Sequence, residues 1–148
     1  MVRITKYQLK LVKENSGNYN INKQIRNPLD AKEAINTVLD LNNEHIEKFG
    51  ILALDTKNNI IGIHIISMGS LNASIVHPRE VFKAAILNNA NSIILFHNHP
   101  SGDTTPSGAD ISVTKMLVEA GKVMQVDVYD HIIVGDNNYC SLKEMGIF

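Results

Sequence analysis

A run of apolar residues, IILF, lies within residues 91–97 and limits the possible folds more than any other feature. Its length and composition are typical of a strand that is buried in a sheet. Apolar residues at helical spacing come before it at 78–89. Apolar residues at helical spacing also follow the run, from residue 107 onward, and predict a second helix. We expect Gly121 near the C-cap of this helix. A buried strand between two helices indicates a fold in which strands and helices are mixed.

Turn residues divide the other β-type segments into two hairpins, one toward each end of the predicted sheet. The hairpins comprise residues 48–55 with 60–68, and residues 125–134 with 139–142. This arrangement predicts the fold class α/β (α+β), with a single mixed β-sheet flanked by helices. No glycine-rich phosphate loop follows a strand, which excludes a doubly wound nucleotide-binding fold.

The N-terminal part of the chain has a separate pattern. Residues 2–13 alternate polar and apolar side chains well enough to predict a strand, and residues 15–22, NSGNYNIN, are turn-like. Asn27 and Pro28 then predict the start of a helix, because asparagine can cap a helix and proline suits its first position. We expect this helix to end near Asn42.

Length and composition restrict the class of protein. The 148 residues, 44% of them hydrophobic, suffice for one globular domain with a core. No apolar run is long enough to span a bilayer, and the N-terminus lacks the apolar core of a signal peptide. We therefore expect a cytoplasmic protein without membrane contact. Cys140 is the only cysteine, so a bound metal must be held by His, Asp or Glu.

Charge is unevenly distributed along the chain. Residues 1–32 contain seven lysines or arginines and two acidic residues, whereas residues 33–148 contain seven basic and thirteen acidic residues. A basic segment of this kind can contact nucleic acid or an acidic partner. It is also typical of an edge strand that lysines protect from further pairing, and no aromatic or glycine interleaving supports the nucleic-acid interpretation.

Residues 95–110, LFHNHPSGDTTPSGAD, combine residue types that suit a metal site. His97 and His99 lie one residue apart where the strand ends, so an extended backbone projects both imidazoles to one side. Asp110 follows a Pro/Gly loop and lies in the first turn of the next helix, where the helix dipole favours a carboxylate. Ser107 and Asp110 also fit an S-x-x-D helix cap, but a cap gives no reason for two histidines. A metal site is therefore predicted, with zinc favoured because imidazole suits it.

The spacing H-x-H-P-x-G followed by P-S-x-x-D resembles the JAMM motif of the JAB/MPN metallopeptidase family, in the version found in RadC-type proteins. Residues 69–107 and 126–142 are similarly RadC-like. The resemblance implies a JAB/MPN (cytidine-deaminase-like) sandwich over residues 44–148, preceded by an N-terminal extension of strand, loop and helix at residues 1–43. Longer RadC-type proteins carry an N-terminal helix-hairpin-helix module of a DNA-binding kind, and this sequence shows no such module.

The resemblance also implies roles for individual residues. The family has a glutamate at the start of a strand, and Glu47, two residues before the apolar run at 49–55, fits best. Glu44 is the rival for this role, because it lies on the same segment that leads into the strand. Glu47 would take a proton from a metal-activated water, and Ser107 would donate a hydrogen bond to the developing oxyanion. The implied ligands of Zn²⁺ are His97, His99 and Asp110.

Three classes of function remain open. The resemblance favours a zinc-dependent hydrolase of peptide or isopeptide bonds, acting on a peptide or protein substrate. Ubiquitin cleavage is not implied, because the connections are short and Asn98 replaces the Ser or Thr common between the histidines of deubiquitinating members. The first alternative is a DNA-associated, repair-linked factor or metal-dependent nuclease that uses the basic residues 1–32. The second is a non-catalytic interaction module, and a homo-oligomer is compatible with each.

Overall fold

The structure is a computed structural model that describes residues 1–69 and 76–148. Residues 70–75, part of the RadC-like stretch 69–107, lie outside the described residues. A single 3-10 turn, Leu41–Asn43, follows the first helix. The helices and strands in chain order are α1 (Pro28–Leu39), β1 (Lys48–Leu54), β2 (Ile60–Met68), α2 (Pro78–Leu87), β3 (Ser92–Asn98), α3 (Gly108–Met124), β4 (Asp127–Val134) and β5 (Tyr139–Ser141). None of these helices is long and apolar enough to cross a membrane.

The described strands form one five-stranded sheet with the order β2-β1-β3-β4-β5. β3 and β4 are parallel, and every other neighbouring pair is antiparallel. The two hairpins, β1 with β2 and β4 with β5, therefore lie at opposite ends of the sheet. This confirms the predicted α/β fold with a single mixed sheet flanked by helices.

The central strand β3 is buried on both faces, as its continuous apolar run requires. Ile93 and Leu95 pack in one core with residues of α2 and α3. Ile94 and Phe96 pack in a second core beneath α1. Because side chains alternate along a strand, His97 continues the face that α3 covers.

The strand predicted at residues 2–13 does not form in the structure. Its apolar side chains are exposed, with Ile4 at 87% and Leu9 at 79% of their accessible area. Alternation alone does not specify a strand, because pairing and burial of one face provide most of the stabilisation. Further along the chain, Gln24 forms an isolated bridge to Asn59 and Ile25 enters the core.

The ends of two helices also differ from the prediction. Gly121 does not cap α3, which continues to Met124 and ends at Gln125 in the left-handed conformation (φ 55°). Gly121 is needed inside the helix, since a Cβ there would lie 2.6 Å from the backbone oxygen of Val126. α1 begins as predicted, because the side chain of Asn27 accepts a hydrogen bond from the backbone N–H of Asp30, but it ends at Leu39 rather than near Asn42.

Candidate metal centre

The candidate site lies at the C-terminal end of β3, beside the N-terminus of α3. His97 is the fully buried second-last residue of β3, where it lies opposite Ile133 of β4. His99 follows the strand, and its backbone N–H donates to the carbonyl oxygen of Val134 over 2.9 Å. Open α/β sheets commonly bind ligands in the crevice at the carboxyl ends of their parallel strands. The strand therefore delivers both imidazoles to the position where such a crevice forms.

Asp110 is brought to the same point by the cap of α3. The hydroxyl oxygen of Ser107 accepts from the backbone N–H of Asp110 over 3.1 Å, and Asp110 Oδ2 accepts from the backbone N–H of Ser107 over 2.6 Å. These reciprocal bonds form the capping box that the S-x-x-D spacing predicts. They fix the carboxylate of Asp110 in the first helical turn, where the helix dipole stabilises its charge.

The three side chains form a tight group that could hold a metal ion. Their ligand atoms all lie within 4.8 Å of one another. Asp110 Oδ1 is 3.3 Å from Nε2 of His97, and Asp110 Oδ2 is 3.3 Å from Nε2 of His99. The His97 and Asp110 side chains are almost completely buried, whereas His99 retains 14% of its side-chain area exposed. Solvent therefore approaches the group from the side of His99.

A buried chain of hydrogen bonds sets the tautomer of His97. The Thr114 hydroxyl lies 2.6 Å from the backbone oxygen of Asp110, and a carbonyl oxygen can only accept, so the hydroxyl donates there. Thr114 Oγ1 must then accept from Nδ1–H of His131, 2.6 Å away. Neutral His131 keeps its lone pair on Nε2, which accepts from Nδ1–H of His97 over 2.8 Å. His97 therefore presents an unprotonated Nε2 toward Asp110.

The loop after β3 sets the tautomer of His99 in the same way. Nδ1 of His99 lies 2.6 Å from the backbone oxygen of Asp103, so this nitrogen donates, and in the neutral ring Nε2 carries the lone pair. Gly102 makes the return of the loop possible, because its φ of +85° lies in the left-handed region that favours glycine. The loop also fits closely over Gly135, where a Cβ would lie 2.5 Å from the backbone oxygen of Gly102.

Two imidazole lone pairs and a carboxylate thus converge on one point, with the two Nε2 atoms 2.9 Å apart. Lone pairs at this distance repel unless a cation or a proton lies between them. Burial lowers the pKa of His97, whereas the hydrogen bond to Asp110 raises the pKa of His99. Burial alone would raise the pKa of Asp110, but bonds to both histidines outweigh it and hold that pKa well below its usual range. The group is therefore suited to a cation, which would replace the proton that His99 otherwise carries.

Glu47 lies just before β1. The β1–β3 pairing ends at Phe49 and His97, and Glu47 and His99 each lie two residues beyond that last pair. Burial dominates the pKa of His97 and the bond to Asp110 dominates that of His99, but the negative charge of Glu47 acts to raise the pKa of both. The rival, Glu44, forms an ion pair with Lys48. The catalytic role of Glu47 stays a prediction.

A family model described as a RadC-like JAB domain matches residues 25–147, which include every helix and strand from α1 to β5. The chain belongs to the RadC-like JAB domain family. The resemblance of its sequence to RadC-type JAB/MPN domains is thereby confirmed.

Several proteins described as UPF0758 proteins are similar to this RadC-like JAB domain. The protein of Syntrophomonas wolfei is 47% identical over 133 residues, which cover 88% of this chain and 57% of the relative. That of Alkaliphilus metalliredigens is 63% identical over 98 residues, covering 66% of this chain and 42% of the relative. That of Methanosarcina acetivorans is 60% identical over 100 residues, covering 68% of this chain and 44% of the relative. The chain spans about half the length of these relatives.

Sequence reasoning missed the residues that support the candidate metal ligands of this RadC-like JAB domain. His131 in β4 is fully buried and bonded to His97. Phe49 packs on both rings, with centroids 6.4 Å from His97 and 5.8 Å from His131. Thr114 is one turn beyond Asp110 in α3, a spacing that places the two residues on one helix face. The sequence shows this spacing, but only the packing of α3 on β4 brings Thr114 to His131.

Replacing Thr114 with valine is expected to weaken metal binding. The change preserves shape but removes the acceptor for Nδ1–H of His131, so the tautomer of His97 is no longer fixed. Loss of a supporting partner of a ligand typically lowers affinity about 10- to 100-fold. Competition with a chromophoric chelator for Zn²⁺ measures the effect. Thr114→Ser, which keeps the hydroxyl, serves as the control, and wild-type affinity in Thr114→Val would show that the hydrogen-bond chain does not support the site.

Proposed function

We propose that the chain is a zinc-dependent hydrolase of peptide or isopeptide bonds. The observation that carries this proposal is the convergence of the Nε2 atoms of His97 and His99 with the carboxylate of Asp110. Glu47 lies two residues before Phe49, the strand residue that pairs with His97. A cation-binding group with an adjacent carboxylate is the combination that metal-assisted amide hydrolysis requires.

Zinc is the cation that the donor set suits best. Two imidazoles and one carboxylate give three ligands, the number that catalytic zinc sites use while one position stays open. The Nδ1–H of each imidazole donates a hydrogen bond to a fixed acceptor, which is the usual support for zinc-bound histidine. When bound, Zn²⁺ would lower the pKa of a water molecule toward neutrality and polarise a carbonyl group of the substrate.

Glu47 supplies the base in this proposal. Its carboxylate accepts a proton from the attacking water and afterwards gives it to the amine that leaves when the amide bond breaks. The segment that carries Glu47 is held against two neighbouring strands: Gly69 N–H donates to the Glu47 carbonyl oxygen over 2.8 Å, and Lys48 N–H donates to Asn98 Oδ1 over 2.7 Å. A base on a fixed backbone meets the requirement that catalytic groups be held close to their productive geometry.

Ser107 supplies a hydrogen-bond donor. Its hydroxyl oxygen accepts from the backbone N–H of Asp110, which leaves the hydroxyl proton available for another acceptor. The residue is exposed at the N-terminus of α3, beside Asp110. It would donate to the substrate oxygen that becomes negative during attack, so its capping and catalytic roles are compatible.

A peptide or protein segment that approaches from the exposed side of His99 is the substrate class in this proposal. We infer a cytoplasmic location from the single cysteine, Cys140, which is free and suits a reducing compartment. A nucleic-acid-associated role has weaker support, namely exposed basic side chains on the N-terminal residues 1–13. A non-catalytic module would not need two supported imidazoles and a carboxylate that converge on one point.

A screen for new protein termini tests the proposed function. A cell lysate is incubated with the zinc-loaded wild type, with Glu47→Gln or with Glu44→Gln, and the termini that arise are labelled and quantified by mass spectrometry. We expect one set of cleavages to occur with the wild type and Glu44→Gln and to be missing with Glu47→Gln. Identical patterns in all three samples, from protein shown to contain zinc, would refute hydrolysis of peptide and isopeptide bonds.

A further inference from the structure

Asn98 lies between the two histidines but serves a different part of the molecule. It is the last residue of β3 and only 1% exposed. Its carboxamide oxygen accepts from the backbone N–H of Lys48 over 2.7 Å, and its amide nitrogen donates to the backbone oxygen of Ile46 over 3.1 Å. These two backbone groups flank Glu47. One side chain therefore binds the chain immediately before and immediately after this glutamate.

This pair of hydrogen bonds, the Asn98 clamp, acts where β3 no longer pairs with the segment, although Lys48 still pairs with Met68 of β2. The paired residues of β1 and β3 end at Phe49 and His97, so no further pair of that ladder fixes residues 46–48 on this side. On the other side, the backbone N–H of Gly69 donates to the carbonyl oxygen of Glu47. Asn98 and Gly69 together hold the backbone around Glu47 from both directions.

We infer that Asn98 is a positioning residue for Glu47, an inference that rests on the proposed function. The backbone of β3 fixes His97 directly, and the Asn98 side chain transmits the same strand's position to the glutamate. A residue of the H-x-H segment thus links the strand that carries the candidate ligands to the backbone on both sides of Glu47. Misplacement of a catalytic group by about 1 Å can lower a rate roughly 100-fold, so such a link has a large kinetic consequence.

The chemistry of the side chain explains why asparagine is required. The two contacts need one acceptor and one donor, and a primary amide supplies both at its two ends. Aspartate has the same shape but only acceptors when ionised, so it would keep the bond from Lys48 and lose the bond to Ile46. Serine is too short to reach both backbone groups at once.

The test compares Asn98→Ser and Asn98→Asp with a matched control, Asn88→Ser. Asn88 also bridges two elements, through His64 over 2.8 Å and the backbone oxygen of Ile61 over 3.4 Å, but it lies on the β2 side of the sheet. Three quantities are measured on the full chain: hydrogen exchange of the Lys48 amide by NMR, affinity for Zn²⁺, and kcat and KM for the peptide cleaved fastest in the screen of termini.

We expect Asn98→Ser to exchange the Lys48 amide at least about 10-fold faster and to lower kcat about 10- to 100-fold, while KM and zinc affinity stay within about threefold of the wild type. Asn98→Asp, which keeps the bond from Lys48, should have a smaller effect on exchange of the Lys48 amide. This variant tests the positioning role if Asn98→Ser fails to fold. In a Glu47→Gln background, Asn98→Ser should cause no further loss of kcat, because the residue acts through Glu47.

Each other outcome overturns the inference in a distinguishable way. If Asn98→Ser cleaves the peptide as the wild type does while Glu47→Gln does not, the positioning role is wrong and the proposed function stands. If zinc affinity falls together with kcat, Asn98 supports the metal ligands rather than Glu47. If the wild type cleaves no peptide at all, the proposed function fails, and unchanged Lys48 exchange in Asn98→Ser would separately refute the clamp.

Discussion

Protein purified without chelator is expected to contain about one zinc ion per chain, and the His97→Ala/His99→Ala double variant is expected to contain none. Three donor atoms lie within 4.8 Å of one another in the wild type, and the double variant leaves a single carboxylate. One carboxylate cannot hold Zn²⁺ against bulk water at the concentrations used in purification. Metal content measured by mass spectrometry with inductively coupled plasma gives the number of ions per chain.

The matched control for this experiment removes two other histidines, His45 and His64. His45 is exposed, and His64, which lies on β2, is hydrogen-bonded to Asn88. Neither belongs to the group of converging ligands. The control should retain zinc. Removal of zinc from the wild type by dialysis against a chelator should also lower its free energy of unfolding, by about 4 kcal/mol if free zinc had been 1,000-fold above Kd. A wild type that purifies without metal and takes up none when zinc is supplied would contradict the central prediction.

The Glu47→Gln variant is expected to keep its zinc and to lose hydrolysis. Glutamine has the shape of glutamate but cannot accept a proton from water at neutral pH, and loss of general base catalysis typically lowers kcat about 100- to 10,000-fold. Glu47 is not a member of the ligand group, so zinc content should match that of the wild type. Single-turnover kinetics on a peptide from the screen, measured with the metal content of each sample, separate the two effects.

Glu44→Gln is the control for this comparison, because the same chemical change is made three residues away at the competing glutamate. Its partner is Lys48, and loss of an ion pair near the surface costs at most about 1 kcal/mol. Hydrolysis should therefore persist. Loss of zinc in Glu47→Gln would mean that Glu47 is a ligand rather than a base. Loss of hydrolysis in Glu44→Gln alone would identify Glu44 as the general base.

Local sequence signals were enough for most of the fold and for the metal group. The apolar run of β3 and the S-x-x-D cap of α3 each have a local physical cause, so the positions of His97, His99 and Asp110 followed from spacing. The segment at residues 2–13 was wrongly predicted as a strand because a strand depends on a partner that lies elsewhere in the chain. Gly121 was wrongly predicted near a cap because its packing against Val126 arises only after α3 turns into β4.

The supporting residues of the site were beyond sequence reasoning for the same reason. His131 and Thr114 meet 17 residues apart, and Asn98 meets Lys48 across 50 residues. Each contact depends on the register between two strands or on the way a helix packs on the sheet. Residue type alone did not distinguish these polar groups from ordinary polar residues of a strand or helix.

The closeness of His97 and Asp110 in the sequence has a consequence for folding. A cation bound by both would join the two ends of a 14-residue segment, from residue 97 to residue 110, and so act as a cross-link. A covalent link that closes a loop of about 15 residues lowers the entropy of the unfolded chain by about 3 kcal/mol at 25 °C. A chain with one cysteine cannot form an internal disulfide. A cation bound by His97 and Asp110 would restrain β3, the loop and α3 to a comparable extent. Unlike a disulfide, this cross-link would form and break as the cation binds and dissociates.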